Sequence, residues 1–282
     1  MENIGYYNGK TGLIQDMVVP MNDRVSYFGD GVYDATYAVN HIPFALSDHL
    51  DRFYRSAKLI EINFTMPKEE LDALLRNLVN QVDSNEVMLY WQLTRGTGMR
   101  NHAFSGAEGK PNLWVTVRHN PMRDIYKKYK LITLEDTRFL MCNVKTLNLL
   151  PSVIATQRAT EASCDEAVLH RGDRVTECAH SNIHIVKDGV FRTAPLDHLI
   201  LPGITRMHLI RIAKAHDIPV AEEPFTVAEL MDADEVIFTS AGALCCSVNE
   251  IDGKPVGGRA PEILKTLQDA YMARFKEETH TA

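Results

Sequence analysis

The chain of 282 residues has no apolar run long enough to span a bilayer, no internal repeat and no low-complexity tract. A membrane-spanning helix, a solenoid and a flexible tether are therefore not expected. Positive charge is not in excess: 30 Lys and Arg stand against 37 Asp and Glu, a net charge of −7. Neither nucleic acid nor an anionic membrane is expected as a partner. Cysteine is scarce, with five residues scattered along the chain, an odd number that frames no disulfide scaffold. A reducing, cytoplasmic location is expected. Cys178 lies near His180, and Cys245 adjoins Cys246, but neither pair has the spacing of a structural zinc site, so no metal is expected. The opening MENIGYYNGK lacks the charged-then-apolar pattern of a secretory signal.

What is present is an ordinary globular composition, 45% apolar and 24% charged, on a chain long enough for two cores. The character changes at Asn120-Pro121-Met122-Arg123. The expected division is a small α+β domain over 1–119, a linker over 120–123 and a larger domain over 124–282. Leu71, Leu74, Leu75, Leu78, Val79 and Val82 recur at helical spacing behind Pro67. A second helix is expected with Ser47 as N-cap and Leu50, Phe53, Tyr54 and Ala57 on one face. Val87–Thr94, Leu113–Val117, Lys130–Leu134 and Glu235–Thr239 read as strands. Asn182–Thr193 reads as a hairpin about Asp188-Gly189. A helix is expected from near Gly203, and a last one from about Ala260. The class is α+β, with a cleft between two domains as the default ligand site.

Lys145 stands in the nearly uncharged run CNVKTLNLL. Two readings are open on local pattern. The side chain snorkels out of a buried segment, or burial favours its neutral amine, a nucleophile able to form a Schiff base with an aldehyde. Leu201-Pro202-Gly203-Ile204-Thr205-Arg206 runs into a helix whose free N–H groups could hold an anion. Arg52 falls opposite Leu50, Phe53 and Tyr54, on what periodicity calls a solvated face or one turned to a polar cleft. Glu177, in RVTECAHSN, is a carboxylate of the kind that keeps a pyridine nitrogen protonated. Lysine, anion site and carboxylate together describe a site for pyridoxal phosphate.

From Tyr7-Asn8-Gly9 to the last helix the chain resembles the class IV, or fold type IV, aminotransferases. This group holds D-amino acid aminotransferases, branched-chain aminotransferases and aminodeoxychorismate lyases. The landmarks are FGDGVYD (28–34), HLDRFYRSA (49–57), TRGTGMRNH (94–102), VKTLNLL (144–150), VTECAHSN (175–182) and LPGITR (201–206). The resemblance implies the two-domain architecture of that fold, with pyridoxal 5′-phosphate in the interdomain cleft. It implies Lys145 as the Schiff-base lysine, Glu177 as partner of the pyridine nitrogen, and Arg52 with the backbone of Ile204 and Thr205 as the phosphate cradle.

Within the family, Arg100-Asn101-His102 resembles the D-amino acid branch. The resemblance implies that Arg100 and His102, with Tyr33, trap the substrate α-carboxylate, a task suited to a guanidinium with imidazole and phenol donors. Tyr90 matches another aromatic residue of that site. The loop reaches the neighbouring subunit's site in the family, which implies a homodimer. The reaction implied is ping-pong transamination between a D-amino acid of the D-alanine or D-glutamate type and a 2-oxo acid, either 2-oxoglutarate or pyruvate. The chain also departs from the pattern. Cys178, Ala179 and the bulky His180 precede Ser181 where small hydroxyl residues are usual. Ala241 stands where a threonine often meets the phosphate, leaving only its backbone N–H. The competing readings are a branched-chain L-amino acid aminotransferase, an aminodeoxychorismate lyase and a non-catalytic pyridoxal-phosphate carrier.

Overall fold

The computed structural model describes residues 1–107 and 109–281. Ala282, the last residue of the expected second domain, lies outside them. The chain folds as two compact units.

The first unit comprises Met1–Met122, Val144–Asn148 and Phe275–Ala282. Its strands are β1 (Asn3–Tyr7), β2 (Lys10–Gly12), β3 (Gly31–Val39), β4 (Ile42–Pro43), β5 (Glu86–Thr94) and β6 (Asn112–His119). Its helices are α1 (Arg24–Phe28), α2 (Leu46–Leu59) and α3 (Lys68–Val79). The strands form one antiparallel sheet in the order β2-β1-β6-β5-β3-β4. Alternation along β5 sorts its side chains onto two faces. Val87, Leu89, Trp91 and Leu93 join Leu50 and Phe53 of α2 and Leu71 and Leu75 of α3 in one core. Each such buried side chain stabilises the fold by about 1.5–3 kcal/mol. The other face carries Tyr90 and Gln92, opposite Ala35 and Tyr33 of β3.

Two expectations change here. The second helix begins at Leu46 with Ala45 as N-cap, in the left-handed region at φ 51. Ser47 lies inside the first turn, where its hydroxyl accepts from Lys68 Nζ at 3.0 Å instead of capping. Of the two faces left open for Arg52, burial excludes the solvated one. The segment around Lys145, expected within the second domain, clusters with the first unit. It lies against β3: Tyr33 N donates to Lys145 O, and Leu147 N to Gly31 O, both at 3.0 Å.

The second unit comprises Arg123–Asn143 and Leu149–Arg274. Its strands are β7 (Lys128–Glu135), β8 (Glu166–Arg171), β9 (Arg174–Cys178), β10 (Asn182–Lys187), β11 (Val190–Thr193), β12 (Val220–Glu222), β13 (Glu235–Ser240), β14 (Leu244–Ile251) and β15 (Lys254–Pro255). Its helices are α4 (Leu150–Glu161), α5 (Ile204–Ala215), α6 (Val227–Met231) and α7 (Pro261–Thr279), the last continuing into residues grouped with the first unit. The sheet order is β12-β11-β10-β13-β14-β7-β8-β9, with β15 beside β14. The β14–β7, β7–β8 and β11–β12 pairs are parallel and the rest antiparallel. Strands β10 and β13 are buried along almost their whole length, as expected of strands covered on both faces. The β10–β11 hairpin turns at Asp188 (φ 50) and Gly189 (φ 78), the two left-handed residues a tight hairpin turn needs. Among the described residues no helix is long and apolar enough to cross a membrane.

Candidate active site

In the first unit the expected residues fall into three groups. Lys145, Tyr33 and Tyr90 form a row. Lys145 Nζ sits 4.2 Å from the centre of the Tyr33 ring. Tyr33 stacks on Tyr90 at 5.4 Å, and Tyr90 meets Trp114 at 5.4 Å. The register explains the row. Tyr33 pairs with Gln92, and Gln92 with Trp114, so all three lie on one face of the sheet. Tyr90 donates to Gln92 Oε1 at 2.8 Å, and burial pushes its phenol pKa well up, so it serves as a neutral hydrogen-bonding group. The backbone of Lys145 is held from two sides, since its N–H reaches Ser56 Oγ at 3.3 Å and its carbonyl accepts from Tyr33. Among the described residues of this unit, no carboxylate pairs with its amine. A cation over an aromatic face is held only loosely compared with an ion pair.

Arg52 belongs to the second group. Its Nε and Nη2 donate to the two oxygens of Asp34 at 2.9 and 2.7 Å, and His49 Nδ1 meets Asp34 Oδ1 at 2.8 Å. Burial alone would raise the Asp34 carboxyl. Arg52 and His49 outweigh it and hold that carboxyl well below the usual range. Burial lowers the His49 imidazole, against the pull of Asp34. Asp34 thereby fixes the guanidinium that the sequence had placed on the phosphate. The i, i+3 spacing of His49 and Arg52 on α2 brings both to one carboxylate.

Arg100 and His102 form the third group. Both are exposed, and their aromatic neighbour is Phe28, whose ring centre lies 5.7 Å from the Arg100 guanidinium carbon and 4.9 Å from the His102 ring centre. Sequence reasoning missed what holds their loop. Arg24, almost wholly buried, donates to the carbonyls of Asn101 at 2.6 Å and of His102 and Ala103 at 3.4 Å. Asp30 holds Arg24 in turn, at 2.8 Å.

In the second unit Glu177 ends strand β9 and is buried. Arg138 Nη1 donates to Glu177 Oε1, while Asn182 Nδ2 and Leu201 N donate to Oε2 at 2.8 and 3.0 Å. Arg138 was not foreseen either. It also grips both oxygens of Asp136 at 2.9 Å and donates to Leu199 O at 3.1 Å. Arg171 Nε and Thr176 Oγ1 add donors to Asp136 at 3.2 and 3.0 Å. Burial opposes the Arg138 charge, but Glu177 and Asp136 outweigh it and raise its pKa further. Burial raises the Asp136 carboxyl, yet its arginine partners bring it down to about 2. The signal in the sequence was slight: Asp136 and Arg138 are two apart in an extended segment, hence on one side of it.

Helix α5 starts at Ile204 with Gly203 as N-cap and no side chain capping it. A Cβ at Gly203 would stand 2.0 Å from Asn182 Oδ1, so only glycine lets the chain run this close to the residue that holds Glu177. Thr205 is buried and accepts from Tyr271 OH at 3.3 Å, leaving its own hydroxyl proton to donate. Ala241 lies in the β13–β14 turn, where Ala243 N donates to Ser240 Oγ at 2.9 Å. Ser181 Oγ and His180 Nδ1 both meet Glu166 Oε2 at 2.8 Å. An uncapped helix start with a glycine cap and a nearby hydroxyl suits a phosphate. A carboxylate paired with an arginine suits a protonated pyridine nitrogen, and an amine with no carboxylate partner among the described residues of its unit suits an aldehyde. The residues present therefore fit pyridoxal phosphate.

The profile of the class IV aminotransferases (Amino-transferase class IV) matches residues 31–251. A protein of Staphylococcus aureus (strain MSSA476) named D-alanine aminotransferase is 38% identical over 274 residues, 96% of this chain and 97% of that one. A Listeria monocytogenes (serotype 4b, strain F2365) protein of the same name is 42% identical over 262 residues, 90% of each. Among solved structures, a T.th. branched-chain amino acid aminotransferase with pyridoxamine 5′-phosphate superposes with a TM-score of 0.87 at 24% identity, covering 99% of this chain and 95% of that one. The branched-chain amino acid aminotransferase of Escherichia coli gives 0.87 at 22%, covering 99% and 96%. At such identities the structural likeness speaks for the fold alone.

Proposed function

The chain belongs to the class IV aminotransferases, and we infer from this that it moves an amino group between a D-amino acid and a 2-oxo acid, with pyridoxal phosphate as cofactor. It is a D-amino acid aminotransferase. The observation that carries this reading is 38–42% identity, over at least 90% of the chain, to proteins named D-alanine aminotransferase. The branched-chain alternative draws only on likeness of fold.

Pyridoxal phosphate, when bound, supplies an aldehyde to carry the amino group and a ring that draws electrons from the substrate α-carbon. Lys145 would hold the cofactor aldehyde and, once the substrate amine has taken its place there and freed it, would serve as the general base that removes the α-proton and returns it. Its amine lies over the Tyr33 ring without a carboxylate partner among the described residues of its own unit, so no ion pair has to be broken before it reacts. Glu177 would hold the proton on the pyridine nitrogen, and Arg138 pairs with Glu177 from the other side. Arg52, the backbone N–H groups of Ile204, Thr205 and Ala241 and the Thr205 hydroxyl hold the phosphate. Tyr33, Arg100 and His102 hold the α-carboxylate, with Tyr90, His180 and Ser181 lining the substrate site. With the carboxylate fixed there, only one enantiomer offers its α-hydrogen to Lys145. The two half-reactions make the kinetics ping-pong.

The working form is a homodimer in this reading. Phe139, Leu140 and Met141, with Leu150, Val153 and Ile154, are exposed apolar side chains, a patch of the kind that covers itself by association. Light scattering at micromolar concentration tests this, and a monomer would refute it. All five cysteines are free thiols, which suits a cytoplasmic protein; cell fractionation checks it. Lys145→Ala is expected to abolish the half-reaction of D-alanine, followed by the cofactor absorbance, while D-alanine still binds. Substantial residual transamination would remove Lys145 from its role.

A further inference from the structure

His180 is a half-exposed imidazole set against a fully buried carboxylate. It stands in the turn between β9 and β10, three residues beyond Glu177. The turn is firmly set, since Cys178 N donates to Ser181 O at 2.7 Å and Ala179 N to Ala167 O at 2.9 Å. Beneath it lies Glu166, with no solvent exposure. One oxygen of Glu166 accepts from Ala167 N at 2.9 Å, and the other meets both Ser181 Oγ and His180 Nδ1 at 2.8 Å. A buried carboxylate with this many donors stays ionised, and it orients the imidazole through Nδ1. Yet the His180 side chain is 43% exposed, so its other edge faces outward. Among the described residues, Nε2 has no hydrogen-bond partner.

We propose that His180, oriented by Glu166, binds the distal carboxylate of a dicarboxylic substrate, so that the D-glutamate and 2-oxoglutarate class is favoured over the D-alanine and pyruvate class. The proposal rests on the transaminase reading above. A substrate of this enzyme commits its α-carboxylate to one cationic site, and a second cation is useful only to a second anion. His180, held against the Glu166 carboxylate at 2.8 Å, is placed to serve as such a cation. Its surroundings desolvate it, which lowers the imidazole pKa, but the attraction and hydrogen bond of Glu166 outweigh this and the net shift is upward. The charge of Arg123 also acts on His180, opposing its protonation while adding positive potential near it. Glu166 needs no outward-facing histidine for its own satisfaction, since Ser181 and the Ala167 N–H already serve both its oxygens.

The test uses holoenzyme as wild type, His180→Asn and His180→Lys. The single-turnover change in cofactor absorbance is followed with D-glutamate and with D-alanine, and the affinities of glutarate and propionate are measured as non-reacting ligands. In His180→Asn the D-glutamate to D-alanine ratio of kcat/KM should fall about tenfold or more, as expected for loss of a charge-assisted hydrogen bond. The preference for glutarate over propionate should fall with it, and His180→Lys should recover part of both. A purely structural role would depress both donors together. Ratios within about twofold of wild type in His180→Asn would overturn the proposal. If the wild type reacts with no D-amino acid at all, the transaminase reading itself fails.

Discussion

Replacing Arg138 by methionine removes the one guanidinium that two buried carboxylates share. Asp136 is 7% exposed and Glu177 5%. Both would keep backbone or side-chain donors, and Asp136 would keep Arg171, but the charge between them would be gone. Breaking a buried pair from one side costs about 3–5 kcal/mol. For a protein of this size that corresponds to a fall in Tm on the order of 10 °C. The cofactor-free protein is the right sample, because ligand binding would add its own stabilisation. The pH dependence is diagnostic. Asp136 titrates at about 2, below its ordinary 3.8, so its contribution is fully present above the unfolded value and lost as pH falls through the folded one. The gap between wild type and Arg138→Met should therefore be full near neutral pH and narrow as pH falls from about 4 to about 2. Calorimetry across that range is the assay. A gap under about 2 °C near neutral pH, or one that stays constant down to about pH 2, would refute the reasoning.

Two further outcomes follow from packing. Gly203→Ala puts a methyl 2.0 Å from Asn182 Oδ1, whose amide is tied to Glu177 and to Leu201 O and cannot easily swing away. A loss of about 1–3 kcal/mol in urea unfolding is expected, together with weaker retention of pyridoxal phosphate on dialysis. Unchanged values for both would show that the close approach is not needed. Asp34→Asn keeps the shape but not the charge that pairs with Arg52 and His49. It should cost about 3 kcal/mol in the same assay, and a loss under about 1 kcal/mol would mean that Arg52 is satisfied by other partners.

Residues whose role is local were readable from the sequence. The β10–β11 turn at Asp188-Gly189, the start of α5 after Gly203 and the alternation of β5 are all set by neighbours a few positions away. Lys145 announced itself by lying uncharged on both sides in an apolar run. The misses share a cause. The face of Arg52 stayed open between solvent and a polar cleft because the periodicity of α2 counts apolar residues and cannot see Asp34, eighteen positions earlier and on a strand. Ser47 looked like a cap because its side chain is competent, but tertiary packing set the N-cap two residues earlier, at Ala45. Arg138 and Arg24 stand beside no motif. Their meaning lies in partners 39 and 77 residues away, Glu177 and Asn101. Long-range charge pairing leaves almost no local trace.

The first unit draws on three separate stretches of the chain. Phe275 lies 4.7 Å ring to ring from Phe44, Glu278 accepts from Ala45 N at 2.7 Å, and Asn40 donates to Thr279 O at 3.2 Å. Its sheet is built from residues before 123, and its core from these together with Val144. During synthesis these must wait for the chain through residue 279 before their contacts are complete, with the whole second unit made in between. Closing so long a loop is slow. The left-handed Ala45 that opens α2 thus has its backbone N–H satisfied only at the end, and the helix bearing Arg52 is pinned at its start later than its own sequence would suggest.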